Sequence, residues 1–148
     1  MTDTLLIHFD INAAHQATWA MCNAAGELTG KITTGALQEL AEFAANKNAI
    51  LLLNSQCLHL NKLKLPTKNL QKIIKAVPYA IEESIAEDVE DFHFVIAKNK
   101  HNNLIDVVGI EKQTLQNIID TFQELQINIE AIIPDALCLA ADEADRQW

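Results

Sequence analysis

The chain has 148 residues, a 49% hydrophobic composition and a formal net charge of −9 at pH 7. This length is sufficient for one domain of ordinary size, or for two small subdomains that share a core. The acidic balance disfavours a nucleic acid or an anionic membrane surface as the main partner, because both attract Lys and Arg; a basic protein partner fits better.

The cysteines and the N-terminus indicate the compartment. Cys22, Cys57 and Cys138 are widely spaced and form no C-x-x-C pair, a pattern typical of reduced thiols. The N-terminus MTDTLLIHFD carries no basic segment, so we expect no signal peptide there, and no apolar run approaches the ~20 residues of a membrane helix. We therefore expect a soluble, intracellular chain without direct membrane contact.

The N-terminal part of the chain alternates between β-type and helical patterns. Apolar or β-rich runs predict strands at 4–10, 16–24, 28–34, 49–55 and 57–65, and a helical spacing of apolar residues predicts a helix over 36–46. The continuous apolar run 49–55 is typical of a central strand that is buried on both faces. Three strands, a helix and a strand is the order of ribonuclease H-like and actin-like folds.

The next segment predicts two helices that meet at a proline. The residues at amphipathic helical spacing are Leu70, Ile73, Ile74 and Val77. Pro78 lacks a backbone donor and disfavours helix at the residue before it, so we predict that a second helix begins at Pro78. The apolar stripe of this second helix, at intervals of four residues, is Ile81, Ile85 and Val89.

The C-terminal part predicts a second, smaller unit. A hairpin (92–97 and 104–110 around the polar turn 98–103), a helix over 112–127 and a strand over 128–134 precede a helix or tail at 135–148. We predict an α/β fold with mixed sheets. It comprises a ribonuclease H-like (actin-like) βββαβ subdomain over residues 1–91, with the helical segment 68–91, and a ββαβ subdomain over 92–148.

One candidate chemistry is the two-metal site of ribonuclease H-like nucleases. These enzymes place carboxylates at the end of the first strand, on the first helix and at the end of the fourth strand. Asp10 fits the first position and Glu39 or Glu42 the second, but the third is the neutral amide of Asn54. We therefore predict no metal site and no nucleic-acid partner, and a nuclease is the least favoured function.

A second candidate chemistry is ATP binding. Actin-like ATPases use a D-x-G turn after the first strand, where glycine lets phosphate approach the backbone; here the turn is Asp10-Ile11-Asn12, and the Asn side chain blocks that approach. The chain also lacks G-x-x-x-x-G-K-[ST] and G-x-G-x-x-G, a zinc-type His or Cys spacing, and a G-x-S-x-G elbow. We predict no cofactor and no catalytic residue.

The strongest charge feature is a boundary in the middle of the chain. Residues 62–75 hold five lysines and no acid, whereas 82–91 hold six acids and no base: Glu82, Glu83, Glu87, Asp88, Glu90 and Asp91. A solvated helix face is the commonest role of such a run, yet like charges at helical spacing repel one another. Compensation can come from the lysine segment, from a basic partner or from both, and the charge pattern leaves these alternatives open.

The acidic run also carries a resemblance to a known family. Residues 77–94, VPYAIEESIAEDVEDFHF, resemble the pattern L-P-Y-x-L-E-[ED]-x-[LI]-A-x-D-[VI]-[ED]-x-[LF]-H-[FV] of the cytoplasmic domain of the type II secretion system protein L family. Residues 50–66 and 129–139 resemble two further family segments in the same order, the second with P-D-x-L-x-L. The family often has Pro-Gly where this chain has Asn54-Ser55.

This resemblance implies a non-catalytic, actin-like scaffold that binds the N-terminal domain of the secretion ATPase at the inner-membrane platform. It implies a location on the cytoplasmic side of the inner membrane, contacts with other platform proteins through regions absent here, and a second copy of the chain as a candidate partner. Family members continue into a second lobe, a membrane helix and a periplasmic domain, so we expect an N-terminal fragment. The alternative is the nucleotide-binding, actin-like pilus-assembly protein of type IV pili.

We assign the ATPase contact to the acidic run. The predicted partner-binding residues are Glu83, Glu87, Asp88, Glu90 and Asp91. This hypothesis requires that their carboxylates stay exposed, while the apolar residues between them hold the segment on the protein.

Overall fold

The computed structural model describes residues 3–98 and 102–138. Contacts divide the chain into two compact units, one formed by residues up to Ser55 together with residues from Ile119 onwards, and one formed by Gln56–Ile118. The centre of the predicted turn 98–103 and residues 139–148 of the predicted helix or tail lie outside the described residues. No helix in the described ranges is long and apolar enough to cross a bilayer.

The helices and strands follow in the predicted general order. In chain order they are β1 (Thr4–Phe9), β2 (Gln16–Cys22), β3 (Thr33–Ala36), α1 (Leu37–Ala44), β4 (Asn48–Leu53), β5 (His59–Leu63), α2 (Leu70–Ile81), β6 (Phe92–Lys98), β7 (Ile105–Glu111), α3 (Lys112–Glu124) and β8 (Asn128–Pro134). The first five elements confirm the predicted βββαβ order, and the fold is mixed α/β with two sheets.

The first unit contains a five-stranded sheet with the order β3-β2-β1-β4-β8. β1 pairs antiparallel with β2 and parallel with β4, which pairs parallel with β8. Every second residue of β1 is buried (Leu5, Ile7 and Phe9), because alternate side chains of a strand share one face. The ring of Phe122 on α3 meets Phe9 edge-on, with 5.2 Å between ring centroids. This aromatic pair lies in the core of the first unit.

The second unit contains a three-stranded antiparallel sheet with the order β5-β7-β6. Ile73, Val77 and Ile81 of α2 pack in one cluster with Ile105 and Val107 of β7. These α2 positions recur every four residues, so they share one face of the helix. The second unit is therefore built as one helix on one face of a small sheet.

The structure corrects the predicted pair of helices at Pro78. α2 continues through Pro78 to Ile81, and only two short 3₁₀ turns, Glu82–Ser84 and Val89–Asp91, follow before β6. Pro78 lies in the last turn of α2, where its missing N–H removes one hydrogen bond, whereas burial of Val77 and Ile81 keeps that turn on the core. The acidic run is therefore not α-helical. Its predicted apolar stripe is nevertheless buried at all three positions.

The third strand also differs from its prediction over 28–34. The side chain of Asn23 accepts hydrogen bonds from the amides of Ala25 and Glu27 and so closes a turn. Leu28 then makes only an isolated bridge with Cys22. The chain rejoins the sheet later, so that β3 occupies Thr33–Ala36.

The division into units differs from the boundary predicted at residue 91. β5 pairs with β7, and α2 packs on the same sheet, so the segment 59–81 groups with the hairpin of β6 and β7. β8 pairs with β4, which places this late strand in the first sheet. The elements of the predicted ββαβ subdomain are therefore shared between the two units.

Candidate functional site

The predicted partner-binding acids lie on a short, well-anchored segment of the second unit. Ile81, Ile85 and Val89 are 2%, 6% and 7% exposed, whereas all six acids of the run are exposed. The carboxylate of Asp88 accepts the amide of Glu90 at 3.0 Å and so caps the 3₁₀ turn Val89–Asp91. The segment thus presents its carboxylates to solvent from fixed backbone positions.

A groove of about 750 Å³ runs beside this segment. Its lining includes three acids, three aromatic residues and two lysines: Glu82, Asp88, Glu90, Tyr79, Phe92, Phe94, Lys75 and Lys112. Tyr79 is 75% exposed, and Nζ of Lys112 donates to the carbonyl of Glu90 at 2.8 Å. An exposed aromatic ring beside a charged rim is typical of protein-binding surfaces.

The lysine segment does not neutralise these acids by direct contact. Among the described residues, none of the six acids forms an ion pair within 4.0 Å with Lys68, Lys72 or Lys75. Lys112 contacts the run through the backbone carbonyl of Glu90. Of the alternatives left open by the sequence, direct neutralisation by these three lysines is therefore not seen among the described residues.

A second place to examine is the sheet edge where open α/β folds usually bind ligands, outside the carboxyl ends of parallel strands. In the first unit this is the edge where β1, β4 and β8 end. Asp10 and Asn54 lie there, and Asp10 Oδ1 accepts the amide of Asn12 at 2.9 Å; Glu39 and Glu42 lie on α1. The described His, Cys, Asp and Glu side chains include no group of three that could hold a metal ion.

The same edge holds a side-chain cluster that sequence reasoning missed. The carboxylate of Asp135 accepts Nε2–H of His8 at 2.9 Å and, through its other oxygen, the hydroxyl of Ser55 at 2.6 Å and the Ser55 amide at 3.0 Å. The Ser55 hydroxyl accepts the amide of Ala136 at 3.1 Å. The only sequence signal was the P-D-x-L match, which marked Asp135 as the end of a strand.

The order of these hydrogen bonds decides what the cluster can do. In a Ser–His–Asp triad the histidine lies between the other two residues and takes the serine proton. Here Asp135 lies in the middle, so the Ser55 hydroxyl is bonded to the carboxylate and not to His8. This order suits a structural hydrogen-bond cluster that joins the ends of β1, β4 and β8. It does not suit an activated nucleophile.

This hydrogen-bond cluster should make the free energy of unfolding depend on pH. The Ser55 hydroxyl first, and then His8, hold the pKa of Asp135 below its ordinary value of 3.8. A depressed folded pKa contributes stability that is present above the unfolded pKa and is lost as pH falls through the folded pKa. We expect Asp135→Asn to be less stable than the parent by about 1 kcal/mol near neutral pH.

Urea unfolding of both proteins between neutral and acidic pH checks this prediction. The difference in unfolding free energy should shrink once the pH falls below about 5 and approach a constant value below both pKa values. A difference that is the same at every pH would mean that the charge of Asp135 does not contribute to stability through this hydrogen-bond cluster.

One protein family matches nearly the whole chain. The family profile described as "Type II secretion system (T2SS), protein L" matches residues 5–147. Type II secretion system protein L of Vibrio cholerae is 29% identical over 108 residues, and that of Dickeya chrysanthemi is 22% identical over 147 residues. These alignments cover 73% and 97% of this chain but only 26% and 36% of the relatives. The chain thus spans only part of the length of the curated relatives it matches.

Two solved structures share the fold. The cytoplasmic domain of EpsL, an inner membrane component of the type II secretion system of Vibrio cholerae, has a TM-score of 0.84 at 24% identity, over 96% of this chain and 61% of that chain. The PilM–PilN type IV pilus biogenesis complex has a TM-score of 0.66 at 11% identity, over 90% of this chain and 47% of that chain. These likenesses confirm the predicted actin-like fold.

Proposed function

This chain belongs to the type II secretion system protein L family, and on that premise we propose that it is a non-catalytic scaffold that binds and positions the secretion ATPase. In this proposal it works on the cytoplasmic side of the inner membrane and needs no cofactor. Other platform proteins would contact the parts of the longer relatives that this chain does not match, and a second copy of the chain is a further proposed partner.

The observation that carries the proposal is the anchored acidic run beside the aromatic groove. Carboxylates at Glu83, Glu87, Asp88, Glu90 and Asp91 are exposed, and within the described residues they form no ion pair. Exposed charges of one sign steer a partner of the opposite sign and raise the association rate. Tyr79 adds an apolar anchor at the same place. The surface therefore suits a partner with basic side chains around an apolar patch.

Charge reversal tests this proposal. Replacing Glu83, Glu87 and Glu90 by Lys should lower the association rate with the N-terminal domain of the secretion ATPase by about tenfold or more at low salt. The effect should fade as salt increases, because exposed charges are screened beyond ~8 Å at physiological ionic strength. Stopped-flow or biosensor kinetics at several salt concentrations measure both quantities.

A matched control separates the site from the net charge. Glu42, Glu124 and Glu130 are exposed acids of the first unit, so their replacement by Lys makes the same change in total charge. We expect this control to associate nearly as fast as the parent and to melt at a similar temperature. Equal loss in both triple variants, or no loss in either, would rule out the acidic run as the docking surface.

The alternative function is that of a nucleotide-binding pilus-assembly protein. The likeness to the PilM–PilN complex motivates this alternative. At 11% identity that likeness concerns the fold alone. The turn after β1 reads Asp10-Ile11-Asn12 where actin-like ATPases have D-x-G. A melting temperature that rises with ATP and magnesium, but not with magnesium alone, would favour the alternative.

A further inference from the structure

A second cavity, of about 370 Å³, lies in the second unit and shares no lining residue with the groove beside the acidic run. Its walls come from the segment between β5 and α2, from the last residue of β6 and from the start of β7. The apolar part of the wall includes Leu65, Ile73 and Ile105. Ile73 and Ile105 are 1% and 4% exposed and belong to the cluster between α2 and the sheet. The cavity thus reaches down to the core of the second unit.

The rest of the wall carries three lysines, Lys64, Lys68 and Lys98, and no Asp or Glu. The whole chain has 20 acidic side chains and only 11 Lys or Arg, so this cavity reverses the charge balance of the protein locally. Within the part of the chain that the structure describes, none of the three ammonium groups forms an ion pair within 4.0 Å. Uncompensated charges of one sign around a concave surface attract a small ion of the opposite sign.

One of the three ammonium groups is held in place by the protein itself. Nζ of Lys98 donates to the backbone carbonyl of Lys68 at 2.5 Å, between residues 30 positions apart. An ammonium group has three donors, so two remain for a ligand. Because this contact fixes the long side chain before a ligand arrives, less conformational entropy is lost on binding.

We propose that this cavity binds a small soluble anion that has a phosphate head and a short apolar chain, such as a monoalkyl phosphate. The head would lie among the three ammonium groups, and the chain would cover Leu65, Ile73 and Ile105. This site is separate from the acidic run, so the inference does not depend on the ATPase contact proposed above.

Charge and size favour this class of ligand. A phosphate monoester carries a charge of about −1.5 to −2 at pH 7, which three lysines match better than they match a single carboxylate, and Lys binds phosphate well as a point charge. The cavity lies near the lower end of the range of about 300–1,000 Å³ for small-molecule sites, so the ligand should be small. Phospholipids carry the same head, but the net charge of −9 disfavours an anionic membrane surface.

Calorimetric titration of the full chain with three probes tests the two parts of the site. Hexyl phosphate should bind at least about tenfold tighter than inorganic phosphate, which lacks the chain, or hexanol, which lacks the charge. Across ethyl, butyl and hexyl phosphate the affinity should rise about two- to fourfold for each CH₂ group that is buried. Equal affinities for hexyl phosphate and inorganic phosphate, or no binding of hexyl phosphate at about 10 mM, would overturn the proposal.

Lysine variants test where the phosphate head binds. Lys64→Gln and Lys98→Gln should each weaken hexyl phosphate binding by about tenfold, the usual effect of losing one hydrogen bond to a charged group. Lys62→Gln is the matched control, because Lys62 is an exposed lysine of β5 that does not line the cavity. It makes the same change in net charge and should bind as the parent does. Equal weakening in Lys62→Gln would mean that the attraction is not specific to the cavity.

Vesicles distinguish a soluble ligand from a lipid head group. The parent chain should not sediment with vesicles of phosphatidylcholine and phosphatidylglycerol under conditions in which it binds hexyl phosphate. Sedimentation with these vesicles that is abolished by Lys64→Gln would assign the cavity to a phospholipid and would overturn the proposal of a soluble ligand.

Discussion

Ile73→Asp is expected to unfold the second unit, whereas Ile74→Asp, one residue later in the same helix, is expected to leave it folded. Ile73 is 1% exposed and lies in the cluster between α2 and the sheet. A carboxylate at this position would be buried without a partner, at a cost of several kcal/mol against a total stability of about 5–15 kcal/mol. Val77 and Ile81 lie in the same cluster, and Asp there should act alike.

The neighbouring position provides the control. Ile74 is 54% exposed, and Ile74→Asp makes the same change in residue type, net charge and intrinsic helix propensity in the same turn of α2. Circular dichroism and urea unfolding of the two variants should show a lost or greatly weakened transition only for Ile73→Asp. Similar curves for both variants would mean that this face of α2 is not the core of the second unit.

Phe122→Ala should cost about 3–5 kcal/mol, which is the usual loss for removing a buried phenylalanine. The ring is 1% exposed and meets Phe9 edge-on. Its removal leaves a cavity in the first unit, on the side of the sheet to which Phe9 points, and the neighbouring strands can close it only in part. The loss should appear as a lower melting temperature and a lower urea midpoint with little change in slope.

Phe43→Ala is the matched control for this second variant. The Phe43 ring is 40% exposed, lies 6.3 Å from the ring of Trp19 and carries Nζ of Lys47 over its face at 4.7 Å. Its removal should cost about 1 kcal/mol, the order of an exposed cation–π contact together with partial burial. If the two alanine variants were equally stable, Phe122 would not be a core residue.

The periodicity of apolar residues predicted most of the fold and misled at two points. Alternation along β1 predicted a strand that is buried on one face, and the structure has one. The apolar run of β4 also forms a strand, but every second residue of it is only partly buried, so the predicted burial on both faces is wrong. The spacing of Ile81, Ile85 and Val89 allowed one continuous helix, yet α2 ends at Ile81, and Ile85 and Val89 are buried on the following segment, which has only two short 3₁₀ turns. The hydrogen bond from the Glu90 amide to Asp88 Oδ1 competes locally with an α-helix. The spacing of apolar residues carries no information about such a cap.

The two candidate sites differ in how much of each could be predicted from the sequence. The acidic run is contiguous, so its charge and exposure followed from local pattern. The cluster of His8, Ser55 and Asp135 joins residues 127 and 80 positions apart, and their meeting depends on the pairing of β1, β4 and β8. Single-sequence patterns do not reveal which strands become neighbours, so only the fold could bring these three side chains together.

The place of the second unit within the chain has a consequence for synthesis. β4 and β8 are paired neighbours, with Asn48 opposite Asn128, yet 80 residues separate them and need about 4–16 s of translation at 5–20 residues per second. The strands and helix of the second unit are complete before β8 leaves the ribosome. β4, with its apolar Leu51 and Leu53, must wait through that interval with one edge unpaired. Nascent chains should therefore be most prone to aggregate through β4, and slower translation of residues 56–118 should lengthen that exposure.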